Sequence, residues 1–294
     1  MSLKDFNIAL LAIILFASNV IILKEASSYC SLDVFNTLRF SIFIFTIPFL
    51  KISRSKIIHL MIFSFFNCFL NFIFISKAIS SGILPSHIGL LSVPRVVFVI
   101  LLAYLLINEK INFYQLLGMG ISCLALILFK LDFLNDLYQL SFFYVVLSAL
   151  SWAIAVTILK KNNVKLTLPD ICFANAISAP PMIIYTLLTN DININWAELM
   201  FNLNFIKLVI YAAFVPILFA TFLWQNLLLK YKSIQLNPIM NLFPFIVFLE
   251  SILFLDERFN WKFLGLLILL FFALLMCQNI KFFFFKNKFL KYLK

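Results

Sequence analysis

Ten apolar stretches, each long enough to cross a bilayer, occupy this chain from Phe6 to Ile280. A hydrocarbon core about 30 Å thick is spanned by roughly 17–25 helical residues. Hydrophobic residues make up 64% and charged residues 12% of the sequence, against about 45–50% and about 25% in soluble globular chains. The sequence therefore predicts an all-α integral membrane protein. The predicted spans 1 to 10 are Phe6 to Leu23, Leu32 to Leu50, Ile57 to Ile75, Ile88 to Ile107, Phe113 to Phe129, Ser141 to Leu159, Ile171 to Leu188, Ile206 to Leu229, Leu236 to Leu255 and Phe263 to Ile280.

The connections between the spans are short, so we expect no soluble domain between them. The longest connection, Thr189 to Phe205, contains Trp196 and is predicted to lie along the membrane interface. The first apolar run follows Lys4 and lacks a small-residue cleavage site, so we expect it to be retained as span 1 and not removed as a signal peptide.

The two halves of the chain begin and end alike. The segment FASNVIILK (Phe16 to Lys24) aligns with WAIAVTILK (Trp152 to Lys160) at an offset of 136, and Glu109 aligns with Glu257 at an offset of 148. Five spans are an odd number, so a second copy enters the membrane from the opposite side. We expect two inverted five-helix repeats, an architecture typical of carriers with alternating access. The expected units are residues 1–130 and 141–280, followed by a basic tail, 281–294.

Positive charge is distributed unevenly between the predicted loops. Fifteen Lys and Arg residues fall on the side of the amino terminus and six on the other side. By the positive-inside rule both termini are predicted to be cytoplasmic, in agreement with an even number of spans. Membrane orientation and contact of the tail with anionic lipid therefore explain the net charge of +11, and nucleic-acid binding is not indicated.

Residue types that serve metal, cofactor or catalytic chemistry are scattered along the chain. The five cysteines are neither paired in spacing nor clustered with the two histidines, and the five glycines form no phosphate-binding loop. We expect no metal, no cofactor and no disulfide framework. An integral-membrane enzyme and a passive channel remain alternatives, but no His/Asp/Glu cluster or Ser–His pairing indicates catalysis.

An ordered set of residues along almost the whole chain resembles the EamA-type branch of the drug/metabolite transporter superfamily. The residues that carry the resemblance are Asn19 and Lys24 in span 1, Arg39 and Phe40 in span 2, Asn108, Glu109 and Gly118 around the turn between spans 4 and 5, Ser151, Trp152, Lys160 and Lys161 around span 6, Pro238 and Pro244 in span 9, and Asp256, Glu257 and Arg258 before span 10. The amino end and the LDER turn are similar to bacterial exporters of amino acids and related metabolites. The resemblance implies a ten-helix carrier of the cell inner membrane that moves small polar metabolites without ATP, in exchange for protons or a counter-substrate.

The sequence is compatible with two classes of cargo. One is an amino acid or amino-acid derivative that is exported, and the other is an anionic or nucleotide-like metabolite that is taken up or exchanged. The chain departs from the usual family residues at Phe16-Ala17 in span 1 and at Pro94-Arg95 in span 4. Spans 4 and 9 line the cavity in related carriers, so the second departure bears on the cargo.

Three ionisable side chains fall inside the predicted spans: Arg39, Arg95 and Glu250. An arginine at mid-span costs about 2.5–3.5 kcal/mol, so such groups normally face a cavity or a partner. At about 1.5 Å of rise per residue, all three lie roughly 8–11 Å below the same membrane surface. We predict that Arg95, with Arg39 as a second candidate, binds a substrate carboxylate or phosphate through its planar fork. Glu250 is predicted to act in coupling, and a permanent ion pair between Glu250 and either arginine is the alternative.

Uncharged candidates complete the predicted binding site. Asn19, Trp152 and Trp224 are predicted to contact the substrate, the alternative being packing between helices.

Three prolines are predicted to act in gating, and two glutamates are predicted to cap helices. Pro94, Pro238 and Pro244 remove backbone donors, so they are predicted to kink spans 4 and 9 and to act in gating, with tolerated or lipid-facing proline as the alternative. Glu109 and Glu257 are predicted to cap the amino ends of spans 5 and 10, where a carboxylate meets the positive end of the helix dipole.

Overall fold

The computed structural model describes residues 1–133, 139–189, 199, 201–258 and 260–277, and every regular element within these ranges is helical. Nine of the described helices are long and apolar enough to cross a membrane, and a tenth is apolar but has 17 residues. This confirms the predicted all-α membrane class. The helices are α1 Leu3–Ala26, α2 Leu32–Phe49, α3 Arg54–Ser80, α4 Pro85–Ile107, α5 Phe113–Phe133, α6 Gln139–Lys161, α7 Leu168–Thr189, α8 Leu203–Lys230, α9 Ser233–Leu255 and α10 Trp261–Cys277.

Three predictions fall wholly or partly outside the described residues. These are the carboxyl end of span 10, the basic tail 281–294 and most of the long connection Thr189 to Phe205.

Short polar residues set several helix ends. At the start of α1 the Ser2 hydroxyl accepts a hydrogen bond from the Asp5 N–H, which satisfies one of the free donors of the first turn. At the ends of α4 and α9 the residues Asn108 and Asp256 adopt the left-handed conformation, with φ of 57° and 52°. Asn and Asp tolerate this conformation better than other residues with a Cβ. The two positions also correspond at the offset of 148, so the two helices end alike in the two halves.

Five of the ten described helices depart from regular α geometry near their middle. The helix α2 continues after Ser41 as a 3-10 segment, Ile42–Phe49. The helix α4 is interrupted after Leu91 and begins again at Pro94, and α9 contains a 3-10 segment, Asn237–Leu242. The helices α3 and α8 contain π segments, Ser64–Leu70 and Ala213–Ala220. Irregular backbone at membrane depth is tolerated where it is buried in protein or lines a cavity.

The helices of the two halves interleave. The helix α1 packs against α8 and α9, α6 packs against α3 and α4, and α2 packs against α7. The helices α5 and α10 approach each other closely at Gly118, where an added Cβ would lie 2.4 Å from Cys277 Sγ and 2.7 Å from the carbonyl oxygen of Ala273. The central region is therefore bounded by helices from both halves.

Ion pairs join the two halves on one side of the bundle. We call the side on which α1 begins the amino face and the other side the opposite face. Three of the ion pairs among the described residues lie at the amino face, and each joins a residue of α1–α5 or its loops to one of α6–α10. The pairs and their N···O distances are Asp5–Lys230 at 2.6 Å, Lys56–Asp170 at 2.8 Å and Glu109–Lys160 at 2.8 Å. At the opposite face the described pair is Lys77–Asp33, at 3.5 Å, and it joins α3 to α2 within the first half.

The prediction that Glu109 caps α5 is wrong. Its carboxylate accepts hydrogen bonds from the backbone N–H groups of Ser233, at 3.1 Å, and Ile234, at 3.3 Å, so it caps α9 across the bundle. The start of α5 is capped by Asn112 and Gln115, whose side-chain oxygens each accept from the other's backbone N–H at 2.9 Å. A shorter side chain directly at the helix start reaches the free N–H groups more easily than one three residues earlier.

The helix α10 is also capped by a short side chain directly at its start. The prediction that Glu257 caps α10 is therefore wrong as well. Asn260 accepts from the backbone N–H groups of Lys262, at 2.9 Å, and Phe263, at 3.4 Å. One carboxylate oxygen of Glu257 is buried and has no hydrogen-bond partner among the described residues.

Candidate functional site

A cavity of about 70 Å³ lies among six helices, three from each half. This volume is well below the roughly 300–1,000 Å³ of small-molecule pockets, so binding a metabolite requires the lining helices to separate. Among the described residues that line the cavity, Arg95 carries a formal charge and none is acidic. The lining residues are Phe16, Asn19 and Val20 of α1, Asn67, Asn71, Phe72 and Ile75 of α3, Ile88, Ser92 and Arg95 of α4, Trp152 of α6, Pro216, Ile217 and Thr221 of α8 and Phe243 of α9.

The broken helix α4 places Arg95 at the cavity. Pro94 begins the second part of α4, and the Arg95 N–H bonds to the carbonyl of Ser92 in the tight turn at the break. The guanidinium carbon lies 5.1 Å from the centre of the Trp152 ring, within range of a cation–π interaction. The Nε of Arg95 is buried without a hydrogen-bond partner among the described residues. This side chain therefore retains donors for an anionic group.

Arg39 lies behind the cavity wall. It is fully buried, its Nη1 donates to Asn19 Oδ1 at 2.8 Å, and its guanidinium carbon lies 4.3 Å from the centre of the Phe72 ring. Because the Asn19 oxygen accepts this bond, the amide nitrogen of Asn19 is the group left for a cargo. In this conformation Arg39 orients Asn19 and is not itself among the lining residues.

Asn71, another polar residue on the cavity wall, is hydrogen-bonded to a residue of the second half. The Ser148 hydroxyl donates to Asn71 Oδ1 at 2.7 Å, and Asn71 Nδ2 donates to the carbonyl of Asn67 at 3.2 Å. The neighbouring Cys68 thiol donates to Asn175 Oδ1 at 3.1 Å. These bonds fix α3 against α6 and α7 at the level of the π segment.

Like Arg39, the predicted site residues Trp224 and Glu250 do not line the cavity. Trp224 is 1% exposed, and its Nε1 has no partner among the described residues. Glu250 has one buried carboxylate oxygen without a described partner, and no described ion pair joins it to Arg39 or Arg95. The permanent ion pair that the sequence left open as an alternative is therefore absent from this conformation of the described chain.

The predicted gating prolines occur where the helices change geometry. Pro94 begins the second part of α4, Pro238 lies at the start of the 3-10 segment of α9, and Pro244 lies in the first turn of the final α segment of α9. Phe243, next to Pro244, lines the cavity.

Sequence reasoning missed several lining residues. Thr221 and Ser92 are small polar residues with no charge or motif to distinguish them, and Pro216 lies in the π segment of α8. Proline inside a long apolar span was the available signal for Pro216, since it cannot continue a regular helix.

The EamA-like transporter family matches residues 6–131 and again residues 139–277. The chain belongs to this family. The resemblance that the sequence indicated is thus confirmed, and family membership identifies a transporter. Together with the nine candidate spans, it agrees with the expected location of a multi-pass protein in the inner membrane.

Two individual proteins are similar to this chain over nearly its whole length. A curated relative from Escherichia coli (strain K12), described as a probable amino-acid metabolite efflux pump, is 24% identical over 280 residues, which cover 92% of this chain and 93% of that protein. A solved crystal structure, described only as that of a protein, has a TM-score of 0.70 at 12% identity and covers 95% of this chain and 98% of that chain. At this low identity the second likeness shows a shared fold alone.

Proposed function

We propose that this EamA-like transporter is a secondary active carrier that exports an amino acid or amino-acid derivative across the inner membrane by alternating access. The observation that carries the proposal is the cavity between the halves, with Arg95 as its charged lining residue. The description of the Escherichia coli relative supports the cargo class.

The proposed architecture has ten spans in two inverted five-helix repeats, with both termini in the cytoplasm. The family match supports it, since it occurs once in each half. Corresponding backbone features support it too. Asn108 and Asp256 are both left-handed, and π segments occur in both α3 and α8. In this topology the amino face is cytoplasmic.

In the proposed binding mode Arg95 receives the carboxylate of the cargo through two parallel hydrogen bonds. The amide nitrogen of Asn19 donates to the same group, and Trp152 packs against the guanidinium. The ammonium group of an amino acid meets amide oxygens and aromatic rings, since none of the described lining residues is a carboxylate. Trp224, Arg39 and Glu250 reach the cargo or a coupling proton only in another conformation.

A second candidate function is exchange of an anionic or nucleotide-like metabolite. The charge of the cavity wall favours it, because no acidic side chain among the described lining residues balances Arg95. The two functions are distinguished by measuring whether amino acids or anionic metabolites compete more strongly for transport.

The test is counterflow in proteoliposomes, using labelled amino acids and labelled anionic metabolites with and without a pH gradient. We expect saturable exchange of an amino acid, stimulated by the same compound inside. A hydrogen bond to a charged group contributes about 1.5–3 kcal/mol, so Arg95→Ala is expected to raise the apparent KM by about 10–100-fold. The matched control, Arg54→Ala, removes an exposed arginine at the amino face and should leave KM unchanged.

Three results would count against the proposal. Exchange confined to phosphorylated compounds favours the second function. Flux that does not saturate indicates a channel. Equal KM values for Arg95→Ala and the unchanged chain remove Arg95 from the binding site.

A further inference from the structure

The pair Glu109–Lys160 is largely buried at the amino face, and both of its partners make further hydrogen bonds. Its N···O distance is 2.8 Å, and the two side chains are 10% and 11% exposed. Lys160 Nζ also donates to the Tyr231 carbonyl at 2.8 Å and to the Ser233 hydroxyl at 2.9 Å. Glu109 in turn accepts from the Ser233 N–H. The loop between α4 and α5 is thereby fastened to α6 and to the loop between α8 and α9.

Both partners of this pair have a counterpart in the other half. Lys24 corresponds to Lys160 at the offset of 136, and each lysine lies in the last turn of its helix. Glu257 corresponds to Glu109 at the offset of 148. Each glutamate follows a left-handed residue, and its N–H bonds to a carbonyl six residues earlier, that of Ala103 for Glu109 and of Ser251 for Glu257.

The counterparts lie at the opposite face and are not paired. Helix α1 ends there, and the α9–α10 loop lies there, because successive spans alternate in direction. One carboxylate oxygen of Glu257 is buried with no hydrogen-bond partner among the described residues, and Lys24 makes no described ion pair. Burying a carboxylate oxygen without a hydrogen-bond donor costs free energy. A conformation that supplies a donor to Glu257 is therefore stabilised relative to the present one.

Among the described residues, the three ion pairs between the halves are all at the amino face. Lys56–Asp170 and Asp5–Lys230 hold this face closed together with Glu109–Lys160. At the opposite face the described ion pair lies within the first half. Opening the amino face therefore breaks these ionic contacts, of which Glu109–Lys160 is the one with both partners largely buried, and the cost is lowest if an equivalent contact forms at the other face.

We propose that Lys24 and Glu257 form, in a second conformation, the ion pair that Lys160 and Glu109 form here, so that the two pairs alternate as latches of opposite faces. This inference rests on the proposed inverted repeat and alternating access. In this structure the amino-face latch is closed and the opposite-face latch is open.

Cross-linking tests the exchange without knowledge of the cargo. The full-length chain, with its five native cysteines replaced, carries Lys24→Cys, Glu257→Cys, Glu109→Cys and Lys160→Cys together in native membranes. A short bifunctional thiol reagent is used, because a disulfide requires Cα atoms about 4.4–6.8 Å apart and a Lys–Glu pair spans more. We expect each molecule to be cross-linked at 24/257 or at 109/160, and mass spectrometry of single chains should find few molecules with both. Abundant chains carrying both links, or links at 109/160 alone, would overturn the proposal.

A charge variant adds an equilibrium readout. In a chain that carries Lys24→Cys and Glu257→Cys only, Glu109→Gln should raise the 24/257 cross-link yield about threefold or more, because it weakens the latch of the other face. The control Glu25→Gln changes an exposed carboxylate next to Lys24 and should leave the yield unchanged. Equal yields for Glu109→Gln and the control contradict the exchange. Failure of the proposed function is a separate result, since it appears as absent counterflow in the unchanged chain whatever the cross-link pattern.

Discussion

The contact between α5 and α10 makes a quantitative prediction about Gly118. In Gly118→Ala the new Cβ would lie 2.7 Å from the carbonyl oxygen of Ala273, so this oxygen must recede by about 0.7 Å to reach the 3.4 Å of ordinary contact. Cys277 Sγ, at 2.4 Å from the new Cβ, must move as well. The carbonyl belongs to the backbone of α10, so the helix has to shift. Overpacking of this kind costs about 1–3 kcal/mol.

Gly120 supplies a control within the same helix. A Cβ at Gly120 meets no heavy atom within 4 Å. Both substitutions change helix propensity by the same amount, about 1 kcal/mol in favour of Ala, so this contribution cancels in the comparison. We expect the free energy of unfolding of Gly118→Ala to be about 1–3 kcal/mol below that of Gly120→Ala.

The assay is reversible unfolding in mixed micelles, monitored by the helical circular dichroism signal as the denaturing detergent is increased. Adding Cys277→Ala to Gly118→Ala should recover part of the loss, because it removes the sulfur but leaves the Ala273 carbonyl in place. Equal stability of the two alanine variants, within about 0.5 kcal/mol, would refute the close contact as described.

Three further substitutions test the site and the amino face. Trp152→Leu removes the ring that lies 5.1 Å from the guanidinium carbon of Arg95, and a lost cation–π interaction of about 0.5–2 kcal/mol should weaken the apparent affinity for cargo about 2–30-fold in counterflow; an unchanged KM would exclude this role. Asn19→Asp adds a negative charge to the cavity wall, so inhibition by carboxylate-bearing compounds should weaken about tenfold, or about 1.4 kcal/mol, and stronger inhibition would contradict an anion site. Asp170→Asn removes the charge that accepts from Lys56 at 2.8 Å, and the free energy of unfolding should fall by about 1.5–3 kcal/mol; no change in the detergent titration would mean that this contact contributes nothing to stability.

The sequence predicted the helices well because a span in lipid has to satisfy its backbone hydrogen bonds internally. Length and apolarity therefore identified α1 to α9 directly. The turns before α5 and α10 were recognisable as corresponding positions because Glu109 aligns with Glu257 at an offset of 148. The structure adds that a left-handed Asn or Asp precedes each glutamate.

Side-chain direction could not be predicted in the same way. A helix in lipid is apolar on all sides, so its sequence carries little of the amphipathic pattern that tells which face is buried. The rise per residue placed Arg39, Arg95 and Glu250 at similar depth in the membrane. Only the fold shows that Arg95 lines the cavity, whereas Arg39 lies behind the cavity wall and donates to Asn19. Glu109 illustrates the same limit, because its partners Ser233 and Lys160 are distant in sequence.

The two π segments have different physical origins. In α8 the segment contains Pro216, which has no N–H to donate and whose ring excludes a regular turn, so covalent structure prevents that helix from becoming uniformly α-helical. In α3 the segment Ser64–Leu70 contains no proline, and only its packing and side-chain bonds maintain it. The first half therefore has a π segment that the chain is chemically able to convert to regular α-helix, and the second half has one that it is not. The two proposed repeats would then differ in stiffness at these segments.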